Sequence, residues 1–253
     1  MTRYRLVVEY NGAGFAGFQK LSRKRTVQGE LERVYERLCG HKVRVLGAGR
    51  TDTGVHATGQ VVAFDSTNPR TGEQVVQAGN IMLPPDIRVV SAEIVAPDFH
   101  PRFSARSRTY RYLIVNGPPD PILSGLAWVV PGRLDLEAMR AAAEHLLGKH
   151  DFSAFTSRPE GQRRERTLLQ LELGQSETAP GPPPLDRLGP FVWVEARADS
   201  FMRRMVRFMV GALVRVGSGE WEPDQVRRAL QARQSTHMPL APAAGLYLVK
   251  VDY

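Results

Sequence analysis

The sequence predicts an α+β fold in which two halves, each with the order β-α-β-β-α-β, are fused in one chain. The first observation is that short strand-like segments and amphipathic helical segments follow one another in that order twice. The second is size and composition, because 253 residues with 42% hydrophobic content can bury a substantial core. We therefore expect two halves, residues 1–103 and 104–253, whose antiparallel sheets join around a central cleft.

The elements of the first half are marked by turn and capping residues. They are a strand at Tyr4–Tyr10, a helix between Thr26 and Gly40, strands at Val43–Leu46 and Gln60–Asp65, a helix from Thr71 to Met82 and a strand at Ile87–Val95. Thr26 precedes a helical repeat of apolar residues, where an N-cap belongs, and Gly40 follows its last member. Thr71 and Gln74 have the spacing of a capping box.

The second half repeats this order with two additions. Its elements are a strand at Arg108–Val115, a helix at Leu136–Leu147, strands at Thr167–Leu173 and Phe191–Arg197, a helix at Phe201–Val216 and a strand at Leu246–Asp252. One addition is a short helix near Glu222–Gln234, in which Pro223 suits the first turn. The other is the Pro- and Gly-rich loop Gln175–Gly189, which we interpret as a mobile hairpin extension.

The predicted sheets carry helices on one face only, which leaves the other face open. The RRM and ferredoxin-like folds share this design, but Gln60–Asp65 lacks the aromatic signature of the RRM, so the similarity is one of topology. The formal net charge is +8, carried by 29 arginines and five lysines, which favours a polyanionic partner. Nucleic acid is the leading partner class, although a basic balance can also reflect genome composition or a heat-adapted source.

Several other classes of protein are disfavoured by the sequence. A single cysteine, Cys39, excludes an internal disulfide and a thiolate metal site, and the six histidines have no metal-binding spacing, so we expect no metal. No run of apolar residues approaches the roughly 20 needed to span a bilayer. We expect a soluble, cytoplasmic protein with no membrane partner.

The candidate active loop is Gly47–Ala57, which reads GAGRTDTGVHA. Its glycines allow close approach of a ligand, and the Thr-Asp-Thr centre can hydrogen-bond to neighbouring backbone. Arg50 lies two residues before Asp52, and a cation at that distance favours the ionised carboxylate, a nucleophile or base at neutral pH. The alternative is a long hairpin loop in which Asp52 forms only an Asx-turn and Arg50 is an ordinary surface arginine.

Asp52-Thr53-Gly54 also matches the tripeptide of the aspartic proteases. Such an enzyme needs two carboxylates that share a proton, whereas this chain has one D-T-G. The adjacent Arg50 would oppose that shared proton. A dimer could supply a second copy, so the protease hypothesis stays open but disfavoured.

The strand SRTYRYLIV, Ser107–Val115, offers an aromatic candidate. Tyr110 and Tyr112 share one face of it by alternation, and Tyr110 could stack on a base. Three arginines lie just upstream: Arg102, Arg106 and Arg108. The alternative is that Tyr110 is a core residue, as most strand aromatics are.

The helix Phe201–Val216 is apolar over more than half its circumference and is predicted to be a core helix. Arg203 and Arg207 lie at the edge of its apolar stripe. A partly buried guanidinium there requires an acid or phosphate partner, or else extends to water.

The loop GAGRTDTGVHA resembles the catalytic motif of the tRNA pseudouridine synthases of the TruA type. Further segments resemble that family in the same order along the whole chain: YNGAGFAGFQ, RTVQGELE, LPPDIRV, RFSARSRTYRYLI, HDFSAF, MVRFMVGALVRVG and GLYLVKVDY. Phe18 and Pro101 depart from the family pattern, where Trp and Ala are usual. The resemblance implies the pseudouridine synthase fold.

The resemblance also implies roles for four residues. Asp52 is the catalytic aspartate, Tyr110 packs on the target uracil, Arg207 pairs with Asp52, and Arg50 helps to extrude the target base. The implied reaction isomerises uridine to pseudouridine at positions 38, 39 and 40 of the tRNA anticodon stem-loop. Asp52 could attack C1′, attack C6 or remove a ribose proton.

The implied reaction needs neither a cofactor nor a metal, because it is redox-neutral and transfers no outside group. The family acts as a homodimer on tRNA. The alternative from another class is a non-catalytic RNA-binding module or tRNA folding chaperone, for which a carboxylate facing a polyanion would be unfavourable.

Overall fold

The computed structural model describes residues 1–117, 123, 125–157, 164–176, 191–233 and 238–253. The chain forms two compact units, one of Met1–Arg106 with Tyr247–Tyr253 and one of Ser107–Leu246. The last strand of the chain thus belongs to the first unit. The predicted hairpin extension Gln175–Gly189 lies outside the described residues beyond Ser176.

The first unit has the predicted order β-α-β-β-α-β. Its elements are β1 (Thr2–Tyr10), α1 (Val27–Cys39), β2 (Leu46–Gly47), β3 (His56–Ser66), α2 (Gly72–Met82) and β4 (Ile87–Val95). Thr26 caps α1 by accepting from the N–H of Gly29, and Gly40 ends it in the left-handed conformation. The capping box of Thr71 and Gln74 on α2 is also confirmed.

The second unit contains the elements predicted for the second half except the last strand, and two short strands that the sequence did not predict. Its elements are β5 (Ser107–Asn116), β6 (Trp128–Val130), α3 (Leu136–Glu144), β7 (Gly148–Asp151), β8 (Glu165–Ser176), β9 (Phe191–Ala198), α4 (Met205–Gly217) and α5 (Pro223–Ala232). Its strands lie in the order β5-β9-β8-β7, all antiparallel, and β6 pairs with β5 in parallel.

The first unit is completed by β10 (Leu246–Asp252), so that its sheet has the order β4-β1-β3-β10, with β2 also paired to β3. β1 is antiparallel to both neighbours, whereas β10 runs parallel to β3 with Tyr247 opposite His56. The predicted α+β class with mostly antiparallel pairing is confirmed.

One face of the first sheet carries the helices. Tyr4 in β1 and Tyr35 in α1 both stack on Phe64 in β3, at centroid distances of 5.2 and 4.5 Å. Because successive side chains of a strand point to opposite faces, Arg3 and Arg5 lie on the face without helices.

Several predicted boundaries are wrong, and β3 begins at His56, four residues before the predicted start at Gln60. Val43–Leu46 is not a strand, since only Leu46–Gly47 is paired there. α4 begins at Met205 instead of Phe201, because Arg204 has a φ of 63° and breaks the helical path. α3 ends at Glu144, three residues before the predicted end. None of the helices in the described ranges is long and apolar enough to cross a membrane.

Candidate active site

Asp52 lies in the irregular connection between β2 and β3, at the start of a tight turn. The N–H of Val55 donates to the carbonyl oxygen of Asp52 at 3.1 Å, and Gly54 within that turn has a φ of 79°. Thr51 is buried, Asp52 is half-buried and Arg50 is exposed. The turn therefore holds the carboxylate partly open to solvent while its neighbour Thr51 fixes the chain inside the protein.

Buried polar side chains of β1 and β3 hold this loop. The hydroxyl groups of Tyr10 and Thr51 share a hydrogen bond of 2.8 Å. Gln60 donates to the carbonyl oxygen of Gly49 at 2.9 Å and accepts from its N–H at 3.3 Å. Gln60 also donates to the Tyr10 hydroxyl at 3.4 Å, and burial raises the pKa of Tyr10 to about 12. The loop is thus joined to β1 and β3 by a network buried in the sheet.

The glycine-rich segment after β1 packs against the other side of the loop. Gly17 has a φ of 99°, and a Cβ there would lie 2.9 Å from the carbonyl oxygen of Thr51. The N–H of Phe18 donates to that same oxygen at 3.1 Å. The N–H of Gly12 donates to Nδ1 of His56 at 3.1 Å. Only glycine allows this approach, so the two glycine-rich segments form one packed structure.

His56 is a structural residue in this arrangement. Its ring is buried and stacks on Tyr247 at 4.6 Å. An Nδ1 that accepts a backbone hydrogen bond carries no proton, which fixes the tautomer of the neutral ring.

Tyr110 belongs to the second unit, on β5 opposite Ala196 of β9. Its ring is half-buried and meets Phe201 edge to face, with centroids 5.2 Å apart and an interplanar angle of 87°. Tyr112, two residues further along, is fully buried and donates to the carbonyl oxygen of Pro242 at 2.8 Å. The two tyrosines thus differ, since Tyr112 is a core residue and Tyr110 keeps part of its ring accessible.

Arg207 also belongs to the second unit, in the first turn of α4. Its Nε donates to the carbonyl oxygen of Ala241 at 2.8 Å, and the N–H of Ala241 donates back to the Arg207 carbonyl oxygen at 3.1 Å. This reciprocal pair fixes the stem of the side chain. The predicted pairing of Arg207 with Asp52 stays a prediction.

Comparisons with known proteins agree with the loop motif. A family model described as tRNA pseudouridine synthase matches residues 6–104 and 142–253. The tRNA pseudouridine synthase A of Xanthobacter autotrophicus is 44% identical, and the match covers 100% of both chains. That of Methylobacterium sp. is 46% identical over 100% of this chain and 98% of its own. The corresponding Caulobacter vibrioides protein is 42% identical, over 100% and 99%.

The chain belongs to the tRNA pseudouridine synthase family. This confirms the resemblance inferred from the loop and places the protein among isomerases. Arg50, Asp52 and Arg207 lie within the residues that the family model matches, whereas Tyr110 lies between the two matched ranges. The full-length pseudouridine synthase relatives cover Tyr110 as well. The roles of the four residues stay predictions.

Three further residues contact the candidate site residues or their loop and were missed in the sequence. Gln60 gave a signal, since it is a polar residue directly before the apolar run of β3. Tyr10 gave a weaker one, as the last buried member of the alternation in β1. Phe201 gave none, because its contact with Tyr110 joins residues 91 positions apart.

No group of three or more His, Cys, Asp or Glu side chains capable of holding a metal ion occurs within the part of the chain that the structure describes.

Proposed function

We propose that this protein isomerises uridine to pseudouridine at positions 38, 39 and 40 of the tRNA anticodon stem-loop, with Asp52 as the catalytic nucleophile. The observation that carries the proposal is the Asp52 loop: a half-buried aspartate in a loop that is held by Tyr10 on the Thr51 hydroxyl, by Gln60 on the Gly49 backbone and by the packing of Gly17. A catalytic side chain has to be held in one geometry, and this network gives the Asp52 loop such support. Family membership and the pseudouridine synthase relatives support the same reaction.

The chemistry is an internal rearrangement. The N1–C1′ bond of the uridine breaks, the uracil turns, and C5 bonds to C1′. N1 then takes up a proton and C5 releases one, so that atoms and electrons balance without an oxidant or a donor group. Attack on C1′, attack on C6 and removal of a ribose proton are the three routes open to Asp52.

The other residues have supporting roles in this proposal. Tyr110 packs on the target uracil, and the edge contact with Phe201 supports this role because it holds the ring while leaving part of it accessible. Arg207 pairs with Asp52, which its fixed stem supports, since a held guanidinium loses less entropy on binding a carboxylate. Arg50 is exposed and takes part in extruding the target base.

We further infer that the protein acts in the cytoplasm as a homodimer on one tRNA. The basic balance of the chain supports a tRNA partner, since phosphate contacts dominate nucleic-acid affinity. Analytical ultracentrifugation at micromolar protein tests the dimer, and a monomer that retains full activity would refute it.

The deciding experiment is tritium release from unmodified tRNA that carries 5-tritiated uridine, without added cofactor or metal. Wild type and Asp52→Asn are compared, with Glu73→Gln as the control that removes an exposed carboxylate of the same unit. We expect release from wild type and Glu73→Gln and none from Asp52→Asn. Affinity of Asp52→Asn for tRNA should be unchanged or higher, because an anion facing phosphate is removed.

Two results would refute the proposal. Tritium release by Asp52→Asn at the wild-type rate would remove Asp52 from the chemistry. Binding of tRNA by wild type without any release would favour a non-catalytic RNA-binding protein or folding chaperone.

A further inference from the structure

An exposed aromatic side chain lies in the segment between β4 and β5. Phe103 is 75% exposed, although its neighbour Pro101 is buried. A single exposed apolar side chain is common on protein surfaces, so the groups around Phe103 decide whether it can bind a ligand.

The backbone around Phe103 is held in one conformation. Nδ1 of His100 accepts from the N–H groups of Arg102 and Phe103 at 3.1 and 3.3 Å. Ser104 accepts from the N–H of His100 through its hydroxyl at 3.1 Å and donates its own N–H to the His100 carbonyl oxygen at 2.9 Å. The ring of Phe103 is therefore presented by a closed hydrogen-bonded turn, which lowers the entropy lost when a ligand binds.

The segment is anchored on the side of the first sheet that carries no helices. Arg3, on that face, donates to the carbonyl oxygen of Phe99 at 2.9 Å. Arg5, on the same face, lies 5.9 Å from the ring of Phe99 and 5.5 Å from that of Tyr253. The Tyr253 hydroxyl donates to the carbonyl oxygen of Pro101 at 2.8 Å. These contacts join the exposed turn to the face of the first sheet that carries no helices.

Two rings and a cation meet at this turn. The His100 and Phe103 rings lie 4.3 Å apart at 37°, and the Arg102 guanidinium lies 5.6 Å from the Phe103 ring. An aromatic surface beside a cation matches an unpaired nucleotide, whose base stacks while its phosphate meets the charge. The chain as a whole is basic, with a formal net charge of +8. A neutral protein surface could pack on the ring but would not complement this positive charge.

We propose that Phe103, flanked by Arg102 and His100, is a stacking site for an unpaired nucleobase of the RNA substrate, separate from the uridine assigned to Tyr110. The proposal rests on the proposed function in that RNA is the substrate. Phe103 is a binding residue in it and takes no part in the bond changes.

Equilibrium binding of unmodified tRNA at one fixed salt concentration tests the site, with variants Phe103→Ala, Phe103→Leu and Phe103→Trp. Stacking is worth about 1–3 kcal/mol per base, so Ala and Leu should weaken binding roughly 5- to 100-fold. Trp should bind within about threefold of wild type, because it keeps a π face. Ile81→Ala is the matched control, since Ile81 is 84% exposed on α2 and outside the turn.

Wild-type affinity in Phe103→Ala would overturn the site. So would binding by Phe103→Leu as tight as that of Phe103→Trp, since the contact would then be apolar without stacking. These binding measurements are separate from turnover. If wild type releases tritium normally and the Phe103 variants bind tRNA as tightly as wild type, this site alone is refuted. If wild type releases no tritium but the Phe103 variants bind tRNA more weakly, only the proposed reaction is refuted.

A photoreactive phenylalanine analogue at position 103 gives a second measurement, which does not depend on whether a variant with a shortened side chain folds. The protein that carries this residue and is otherwise wild type is irradiated with tRNA bound. Residue 103 should then crosslink to an unpaired nucleotide. Crosslinking to a second copy of the chain instead would overturn the site and identify Phe103 as part of a protein interface.

Discussion

The loop around Asp52 and the surroundings of Tyr110 are built in different ways. The loop has no regular structure, and it is held by hydrogen bonds from Tyr10 to the Thr51 hydroxyl and from Gln60 to the Gly49 backbone, and by glycine packing. Tyr110 projects from a regular strand and meets Phe201 edge to face. A strand places a side chain through its own register, whereas an irregular loop must be held by contacts from elsewhere. Function in the first region should therefore be sensitive to residues that do not touch substrate.

The largest effect is expected from Gly17→Ala. A Cβ at this position combines a φ of 99° with a contact of 2.9 Å to the Thr51 carbonyl oxygen. We expect the free energy of unfolding to fall by about 2–4 kcal/mol and kcat to fall about 100-fold, because a small displacement of a catalytic group is costly. Urea unfolding and tritium release measure the two effects.

Gly40→Ala is the control for backbone strain. Gly40 has a φ of 75°, but a Cβ there would have nothing within 4 Å. We expect it to lose about 1 kcal/mol of stability with unchanged kcat. Equal kcat in the two variants would show that the packing of Gly17 on the loop does not position Asp52.

The next effect concerns the second region. Tyr110→Ala should lower kcat/KM by roughly 10- to 100-fold, the range expected for loss of one aromatic stacking contact. Phe201→Leu should lower it by about 2- to 10-fold, because an edge contact is worth about 0.5–1.5 kcal/mol. In the double variant the Phe201 effect should vanish, since the ring it supports is absent. Additive effects in this double-mutant cycle would separate Phe201 from Tyr110.

The same difference explains what the sequence could predict. Local signals gave α1 with both of its caps, the capping box of Thr71 and the bounds of β4 and β10. Asp52, Arg50, Tyr110 and Arg207 came from motifs and from the resemblance, and family membership is now established. The roles of those residues still await experiment.

What the sequence could not give depends on pairing between distant residues. Tyr10 and Thr51 are 41 positions apart, and their hydrogen bond forms where the loop before β3 packs beside the end of β1. Val43 and Val45 are buried without a strand partner, so an apolar pattern alone gave a strand that is absent. Arg204 delays the start of α4 to Met205 by its left-handed backbone conformation, which a non-glycine residue does not reveal in sequence.

The smallest effect is expected from a comparison of two buried tyrosines of the first unit, Tyr10 and Tyr35. Tyr10→Phe removes a hydroxyl that is bonded to Thr51 and Gln60, so stability should fall by about 1 kcal/mol and kcat by about 3- to 10-fold at unchanged KM. Burial raises the pKa of Tyr10 to about 12, so its hydroxyl stays protonated at working pH. The ratio of wild-type to variant kcat should therefore be constant from about pH 6 to 9.

Tyr35→Phe is the matched change in α1. The Tyr35 hydroxyl is buried and has no hydrogen-bond partner within the described ranges, so its removal leaves no acceptor or donor unsatisfied there. We expect unfolding free energy to be unchanged or to rise by up to about 1 kcal/mol, with wild-type kcat. If Tyr35→Phe lowers kcat as much as Tyr10→Phe does, the loss reflects general packing of the unit. If kcat falls in Tyr10→Phe alone, the fall results from losing the hydrogen bonds of Tyr10 to Thr51 and Gln60.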